Sequence, residues 1–337
     1  MKKFLKCMCF AFALILSLTA CGQGKEPEEG KTSQESKVES IENPSEPTTV
    51  KIENFDMETE YTKIPERVVA LNYDAAQILT ALGVEDRIVG VATAEGSPKD
   101  CLPEYQDKVS KLKVIIEGTP NLELLLAQKP DFVYGTVYAF GPRGVAPVED
   151  FKSNGINIYC MNGTCSKNPA FEDIYKDIED MGKIFKAEDK AKVVVDSLKE
   201  REKKLASSPK TEVKVLGFDG GEKTAVVAGK GIEDKIISLA GGNNIFSDLP
   251  RAFDEVSWEE IAAKNPDIIL IHDYDTGITA GDVDEKIQVL KNNPAMKNTT
   301  AVKNENFVIV KLVEVFPGMQ AIDAAERLAE KIQSVAK

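Results

Sequence analysis

Short β-branched runs alternate with amphipathic stretches along most of this chain, and the alternation predicts strands and helices in turn. One series of strands is expected at Arg67–Leu71, Ile88–Val91, Phe132–Gly135 and Asn157–Cys160, a second at Val213–Phe218, Ala225–Ala228, Ile268–Ile271 and Phe307–Val310. Between them, Ala75–Leu82, Leu122–Gln128, Asp234–Ala240 and Glu259–Lys264 carry apolar residues at helical spacing. Strands that alternate with helices imply parallel sheets covered on both faces. From about Phe171 to Ala206 the strand signal disappears. The second part of that segment places Ala191, Val194, Val195, Leu198 and Leu205 at helical spacing among Lys and Glu. A helix of about 20 residues is about 30 Å long, roughly the width of a small lobe, so the segment reads as a beam between two α/β lobes.

An internal repeat strengthens the two-lobe reading. Asn121 through Asp131 and on to Val133 recurs as Ser257 through Asp267 and on to Ile269. Glu123 and Glu259, like Pro130 and Pro266 or Asp131 and Asp267, stand 136 residues apart. Each copy predicts a capped helix that leads through Pro-Asp into a buried strand. The fold class expected is α/β: two lobes, each a parallel-sheet Rossmann-like βα sandwich, joined by a single long α-helix.

The N-terminus has a different character. Lys2, Lys3 and Lys6 precede a short apolar run from Phe10 to Leu18, closed by Leu18-Thr-Ala-Cys21-Gly22. A basic stretch, an apolar core and small residues before a cleavage point describe an export signal. The run is shorter than the roughly 20 residues of a spanning helix. The Leu-Thr-Ala-Cys ending resembles the lipobox of bacterial lipoproteins, which implies acylation of Cys21 and a lipid-anchored protein on the extracytoplasmic face of the cell membrane. An ordinary secretory peptide that happens to contain Cys is the alternative. Beyond it the chain is rich in Glu, Lys, Ser and Pro and poor in large apolar residues, and it reads as a disordered tether. The expected division is therefore 1–20 signal peptide, 21–58 lipidated Cys and tether, 59–170 N-terminal lobe, 171–207 helical segment with the inter-lobe helix, and 208–337 C-terminal lobe.

The formal net charge of -13 argues against a nucleic-acid partner, since phosphate binding needs a basic face. Of the 6 cysteines, Cys101, Cys160 and Cys165 remain after the signal and Cys21 are set aside. Three cannot all pair within one chain; Cys101–Cys165 is the preferred bridge, with free buried thiols the equal alternative. Enzyme chemistry finds little footing. No phosphate-binding Gly-x-x-x-x-Gly-Lys-Ser/Thr loop is present, and 1 histidine excludes a two-histidine zinc motif. Gly229-Lys-Gly231 follows a strand and precedes a helix but lacks the third spaced glycine of a dinucleotide site. No catalysis and no resident cofactor or metal are expected.

Both repeats open on a helix N-cap, Asn121 and Ser257, with a glutamate two positions later. Locally, a first-turn carboxylate favours the helix dipole by roughly 0.3–1 kcal/mol, and Ser257 with Glu260 makes a capping box. Two such glutamates at equivalent places also suggest a matched pair of exposed charges. Pro65-Glu-Arg-Val-Val-Ala-Leu71, Ala81 through Val91, Asn121 through Asp131, Ala228-Gly-Lys-Gly231 and Ala240-Gly-Gly-Asn-Asn-Ile-Phe246 together resemble the helix-linked (class III) substrate-binding lipoproteins of ABC importers for iron-siderophores, haem and vitamin B12. The resemblance covers about residues 60 to 335. It implies an ABC permease dimer with its ATPase subunits as partner, contact with the membrane through the lipid anchor only, and a monomer. It also implies docking of Glu123 and Glu259 onto permease arginines, pairs that fix orientation more than affinity.

Cargo is then expected in the cleft between the lobes, beyond the carboxyl ends of the strands. Loops there carry Asn72, Tyr73, Tyr138, Phe140, Arg143, Lys223, Arg251, His272, Tyr274 and Phe316. Arg143 and Arg251 offer planar forks for carboxylate or catecholate oxygens, and aromatic faces suit a bulky flat ligand. His272, after a strand, should lie near the cleft rim as a hydrogen-bonding group or metal ligand, or as a solvated or capping side chain. A bare zinc or manganese ion normally wants several His ligands. A chelated ferric ion needs only complementary charge and shape, so a ferric-siderophore-type chelate is the expected cargo. Cobalamin or haem by the same mechanism, or a sensor or adhesin on the same scaffold, are the alternatives.

Overall fold

The computed structural model describes residues 49–93, 96–274 and 282–336. The export signal, Cys21 and most of the expected tether lie outside the described residues. Val50–Asn54 (β1) and Met57–Tyr61 (β2) form an antiparallel hairpin, which corrects the tether's expected end at residue 58. Ile52, Asn54 and Tyr61 face inward with a period of two. Asn54 fastens the hairpin by donating to the Cys160 carbonyl and accepting from the Cys160 N–H, each at 2.8 Å.

The N-terminal lobe follows, with Val68–Ala70 (β3), Tyr73–Ala81 (α1), Ile88–Thr93 (β4), Pro103–Val109 (α2), Val114–Glu117 (β5) and Leu122–Leu126 (α3). Phe132–Gly135 (β6), Val148–Ser153 (α4), Asn157–Cys160 (β7) and the short Asn162–Cys165 (α5) complete it. Its sheet is parallel throughout, in the order β5-β4-β3-β6-β7. Phe171–Phe185 (α6) and Glu188–Ala206 (α7) come next, separated by Lys186 in the left-handed conformation. The second lobe runs through Lys214–Gly220 (β8), Ala225–Ala228 (β9), Ile232–Leu239 (α8), Asn243–Asn244 (β10), Phe253–Val256 (β11), Trp258–Lys264 (α9) and Ile268–Asp273 (β12). Val283–Asn292 (α10), Thr300–Lys303 (α11), Phe307–Lys311 (β13) and Ala321–Val335 (α12) end the chain.

The second sheet is mixed, in the order β11-β9-β8-β12-β13 with β10 beside β8, which corrects the expectation of a parallel sheet in each lobe. The reason lies in the β8–β9 joint. A few residues, with Gly221 at φ 110°, turn the chain directly, and so short a link forces antiparallel pairing because a parallel crossover needs a dozen residues or more. β8, β12 and β13 remain parallel.

The sequence repeat has a structural basis. Asn121 caps α3 by accepting from Leu124 N–H at 2.9 Å, and Ser257 caps α9 by accepting from Glu260 N–H at 3.1 Å. Lys129 and Asn265, the residues before Pro-Asp, both adopt positive φ. Asp131 accepts from the Arg67 N–H at 2.9 Å, and Asp267 from the Lys214 N–H at 2.9 Å, so each Asp ties down the start of its lobe's first strand. Arg67 answers by donating to the Gln128 and Lys129 carbonyls just past the end of α3, and Lys214 by donating to the Lys264 carbonyl that ends α9.

α7 packs on α1, α6, α8 and α12, with Ala191, Val195, Leu198 and Leu205 buried. The apolar cluster it joins runs from Val68 and Ile78 in one lobe to Leu270, Ile322 and Leu328 in the other. Cys160 and Cys165 are disulfide-bonded, and Cys101 is a buried free thiol beside the Tyr73 carbonyl. The expected Cys101–Cys165 bridge is thereby corrected: α5 turns straight off the end of β7 and returns Cys165 to its near neighbour. No helix among the described residues is long and apolar enough to cross a membrane.

Replacing Asp131 by Ala leaves the Glu66 and Arg67 N–H groups without their acceptor. The variant is expected to lose about 1–3 kcal/mol of stability, read from its urea midpoint at unchanged m-value.

Candidate functional site

In each lobe the parallel strands, β3 to β7 in the first and β8, β12 and β13 in the second, bring their carboxyl ends to one edge of the sheet, while β9 runs the opposite way. The two edges meet at a cavity of about 240 Å³. From the N-terminal lobe come Asn72, Tyr73 and Asp74 after β3, Thr119 and Pro120 after β5, and Thr136 and Tyr138 after β6. The C-terminal lobe contributes Asp273 and Tyr274 at the end of β12, then Lys311, Val313 and Phe316 after β13.

Of the residues expected to hold cargo, the cavity brings together Asn72, Tyr73, Tyr138, Tyr274 and Phe316. Asn72 is fixed by capping α1, its side chain accepting from the Ala75 N–H at 2.7 Å. Tyr138 is 72% exposed, a large aromatic face held open to solvent at the mouth. The other five are not part of the lining. Phe140 is a core residue, edge-on to Phe151 at 5.6 Å between ring centroids. Arg143 and Lys223 are exposed on loops. Arg251 is exposed too and forks onto Asp254.

His272 departs most from expectation: its side chain is 0% exposed, neither at the rim nor solvated. Its Nδ1 lies 3.0 Å from Oδ1 of Asp219 and its Nε2 3.1 Å from Oε1 of Glu233. Two carboxylates leave both ring nitrogens as donors, so the imidazole is a buried cation. Burial opposes that charge, but Glu233 and Asp219 outweigh it and hold the pKa up to about 9. Burial alone would raise Asp219, yet the bond from His272 keeps it below its ordinary value. Tyr274 donates to the same Asp219, and Lys286 donates to the His272 carbonyl at 2.6 Å. A relay from Glu233 through His272 and Asp219 therefore ends on a tyrosine of the cavity wall. The sequence held a hint of it, since Asp219 ends β8 beside β12, but Glu233 reaches in from α8.

The opposite wall is acidic. Burial, and then the charge of Asp100, push Asp74 up to about 7. Asp100, also buried, forms an ion pair with Lys311 across the two lobes. Below them Gln77 donates to Gln320 at 2.9 Å, and Gln320 donates to the Asp100 carbonyl at 3.1 Å. Gly318 is required here, because a Cβ at that position would stand 2.4 Å from Oδ1 of Asp74. Among the described residues, no group of three or more His, Cys, Asp or Glu is placed to hold a bare metal ion.

Two α/β lobes with a cavity between the carboxyl edges of their sheets define a solute-binding protein. A family model described as "Periplasmic binding protein" matches residues 68–312, and the chain belongs to that family. The Bacillus subtilis ABC transporter substrate-binding lipoprotein YvrC, itself uncharacterized, is 26% identical over 95% of this chain and 95% of its own. The petrobactin-binding protein YclQ of Bacillus subtilis is 25% identical over 91% of this chain and 90% of its own. A periplasmic binding protein from Veillonella parvula superposes with a TM-score of 0.75 at 28% identity, over 86% of this chain and 99% of that one. The protein is a substrate-binding component of an ABC importer.

His272 titrates at about 9 in the fold against 6.5 in the open chain, so folding takes up a proton between those values. The stabilising contribution is complete below about pH 6.5 and fades as pH rises through about 9. Thermal unfolding should show the wild type losing several degrees between about pH 7 and about pH 9, and His272→Gln losing little more over that range than at its start.

Proposed function

We propose that the chain captures a ferric-siderophore-type chelate in the inter-lobe cavity and delivers it to a permease dimer while acylated Cys21 holds it at the membrane. The carrying observation is the cavity itself: three tyrosines and Phe316, contributed by both lobes, converge where each sheet presents its carboxyl edge. Aromatic walls with few polar anchors suit a bulky chelate whose metal is already fully coordinated. A neutral corrinoid, rich in amide groups, fits the same walls and is the second reading. The petrobactin-binding relative supports the chelate.

Glu123 and Glu259 serve as docking charges in this reading. Both are exposed in the first turns of α3 and α9, on the cavity edge of their respective lobes. Other repeated features of these segments have a local purpose: the caps, the positive-φ residues and the Asp anchors all hold the helix–strand joint. The two glutamates have no hydrogen-bond or ion-pair partner among the described residues. A pair of unspent carboxylates, one per lobe, suits a two-fold basic partner.

Trp258 packs against Phe218 in the C-terminal core and donates to the Glu222 carbonyl, away from the cavity lining, so calorimetry is the direct measure of binding. Titration with ferric siderophores, cobalamin and haem should give saturable binding of a member of this set at one site per chain. Reversing both glutamates, Glu123→Lys with Glu259→Lys, should leave that affinity intact and abolish uptake by cells carrying the importer. Normal uptake by the double variant removes the docking role.

A further inference from the structure

We infer that this cavity selects a neutral or cationic chelate over an anionic one. The inference rests on the carrier reading of the same cavity and names its substrate class. Its first support is a count of charge on the described lining: Asp74, Asp100 and Asp273 against Lys311. The one ammonium in that set is engaged by Asp100, so the pair presents little positive field to an incoming ligand.

The second support is Asp74 itself. It is 4% exposed, it lines the wall, and its Oδ1 has no hydrogen-bond partner among the described residues. A buried carboxyl with an unpartnered oxygen is costly unless something meets it. That oxygen is shut off against Gly318, so cargo meets Asp74 through its charge rather than through a direct hydrogen bond. The proximity of Asp100, which helps hold this carboxyl near the edge of ionisation, means that a cation entering the cavity favours its charged form.

The third support is where the other cations stand. Arg143, Lys223 and Arg251, the groups suited to catecholate or propionate oxygens, are exposed outside the lining, and Arg251 is held by Asp254. Among the described lining residues an anionic chelate would meet carboxylates and no guanidinium. Aromatic faces do not offset this, because the rings of Tyr73 and Phe316 carry negative faces that attract cations, while Lys286 already stands 4.7 Å from the Tyr274 ring centre.

The test compares ferric chelates of matched size and different charge: cationic ferrioxamine B, neutral ferrichrome and trianionic ferric enterobactin, titrated by calorimetry at low ionic strength. Wild-type protein should bind the tightest of the neutral and cationic probes about tenfold or more above ferric enterobactin. Asp100→Asn removes one negative charge from the lining and should narrow the cation-to-anion affinity ratio by about tenfold, and Asp74→Asn should narrow it in the same direction. Because the readout is a ratio of two affinities on one folded preparation, a general loss of stability does not mimic it. Ferric enterobactin binding as tightly as the other two, or a ratio that neither variant moves, overturns the inference and leaves the carrier reading standing. Failure of all three chelates, and of cobalamin and haem, overturns the carrier reading and the inference with it.

Discussion

The structure depends on one apolar seam. Ile78 and Leu79 of α1, Val195 and Leu198 of α7, and Ile322 and Ala325 of α12 belong to a single buried cluster that reaches into both sheets. At the seam sits a buried amide pair, Gln77 with Gln320, whose remaining capacity is taken by the Leu102 N–H and the Asp100 carbonyl. Rotating one lobe against the other would uncover apolar surface and strand those amides, at roughly 1–3 kcal/mol for each unsatisfied group. A continuous helix between the lobes resists bending as well. The walls of the cavity are therefore fixed by the packing itself, which on the proposed reading lowers the ordering cost of capture.

From that seam the position of the site follows. The parallel strands of each lobe, β9 excepted, end toward the partner lobe, and the helices that lead into β6 and β12 begin on the same side. The loops that line the cavity and the exposed glutamates of α3 and α9 thus share an edge for reasons of chain direction alone. The ion pair between Asp100 and Lys311 crosses the floor of that edge, joining the two lobes and neutralising the lining's ammonium at once. One contact thereby serves both rigidity and the electrostatic character of the cavity.

Much of the fold was legible because its signals are local. Buried strands such as Phe132–Gly135 and Ile268–Asp273 are short apolar runs, and α7 shows its stripe at Ala191, Val195 and Leu198. The β1–β2 hairpin was hidden by composition: its outward positions are Lys and Glu, like the tether before it, and only Ile52, Asn54 and Tyr61 mark the inner face. Half of the expected cargo residues lie in the cavity because position at a strand's carboxyl end is also a local property. Side-chain direction is not. Phe140 turned into the core against Phe151, and Arg251 found Asp254 three residues away. His272 was misplaced for the same reason, since its burial is decided by Glu233 and Asp219, which reach it from other elements.

The repeat shows how structural and functional constraint can occupy the same dozen residues. Asp131 and Asp267 hold the first strand of each lobe, while Arg67 and Lys214 return the contact to the end of the preceding helix, so the joint is locked at both ends. Such a lock fixes where α3 and α9 begin, and hence where the residues of their first turns project. A docking charge there would add no further backbone-ordering cost, because the backbone that carries it is already immobilised by capping and by the Asp anchor. The same rigid joint that makes the repeat look merely structural is what would let two lone carboxylates, a lobe apart, keep a constant spacing for a partner.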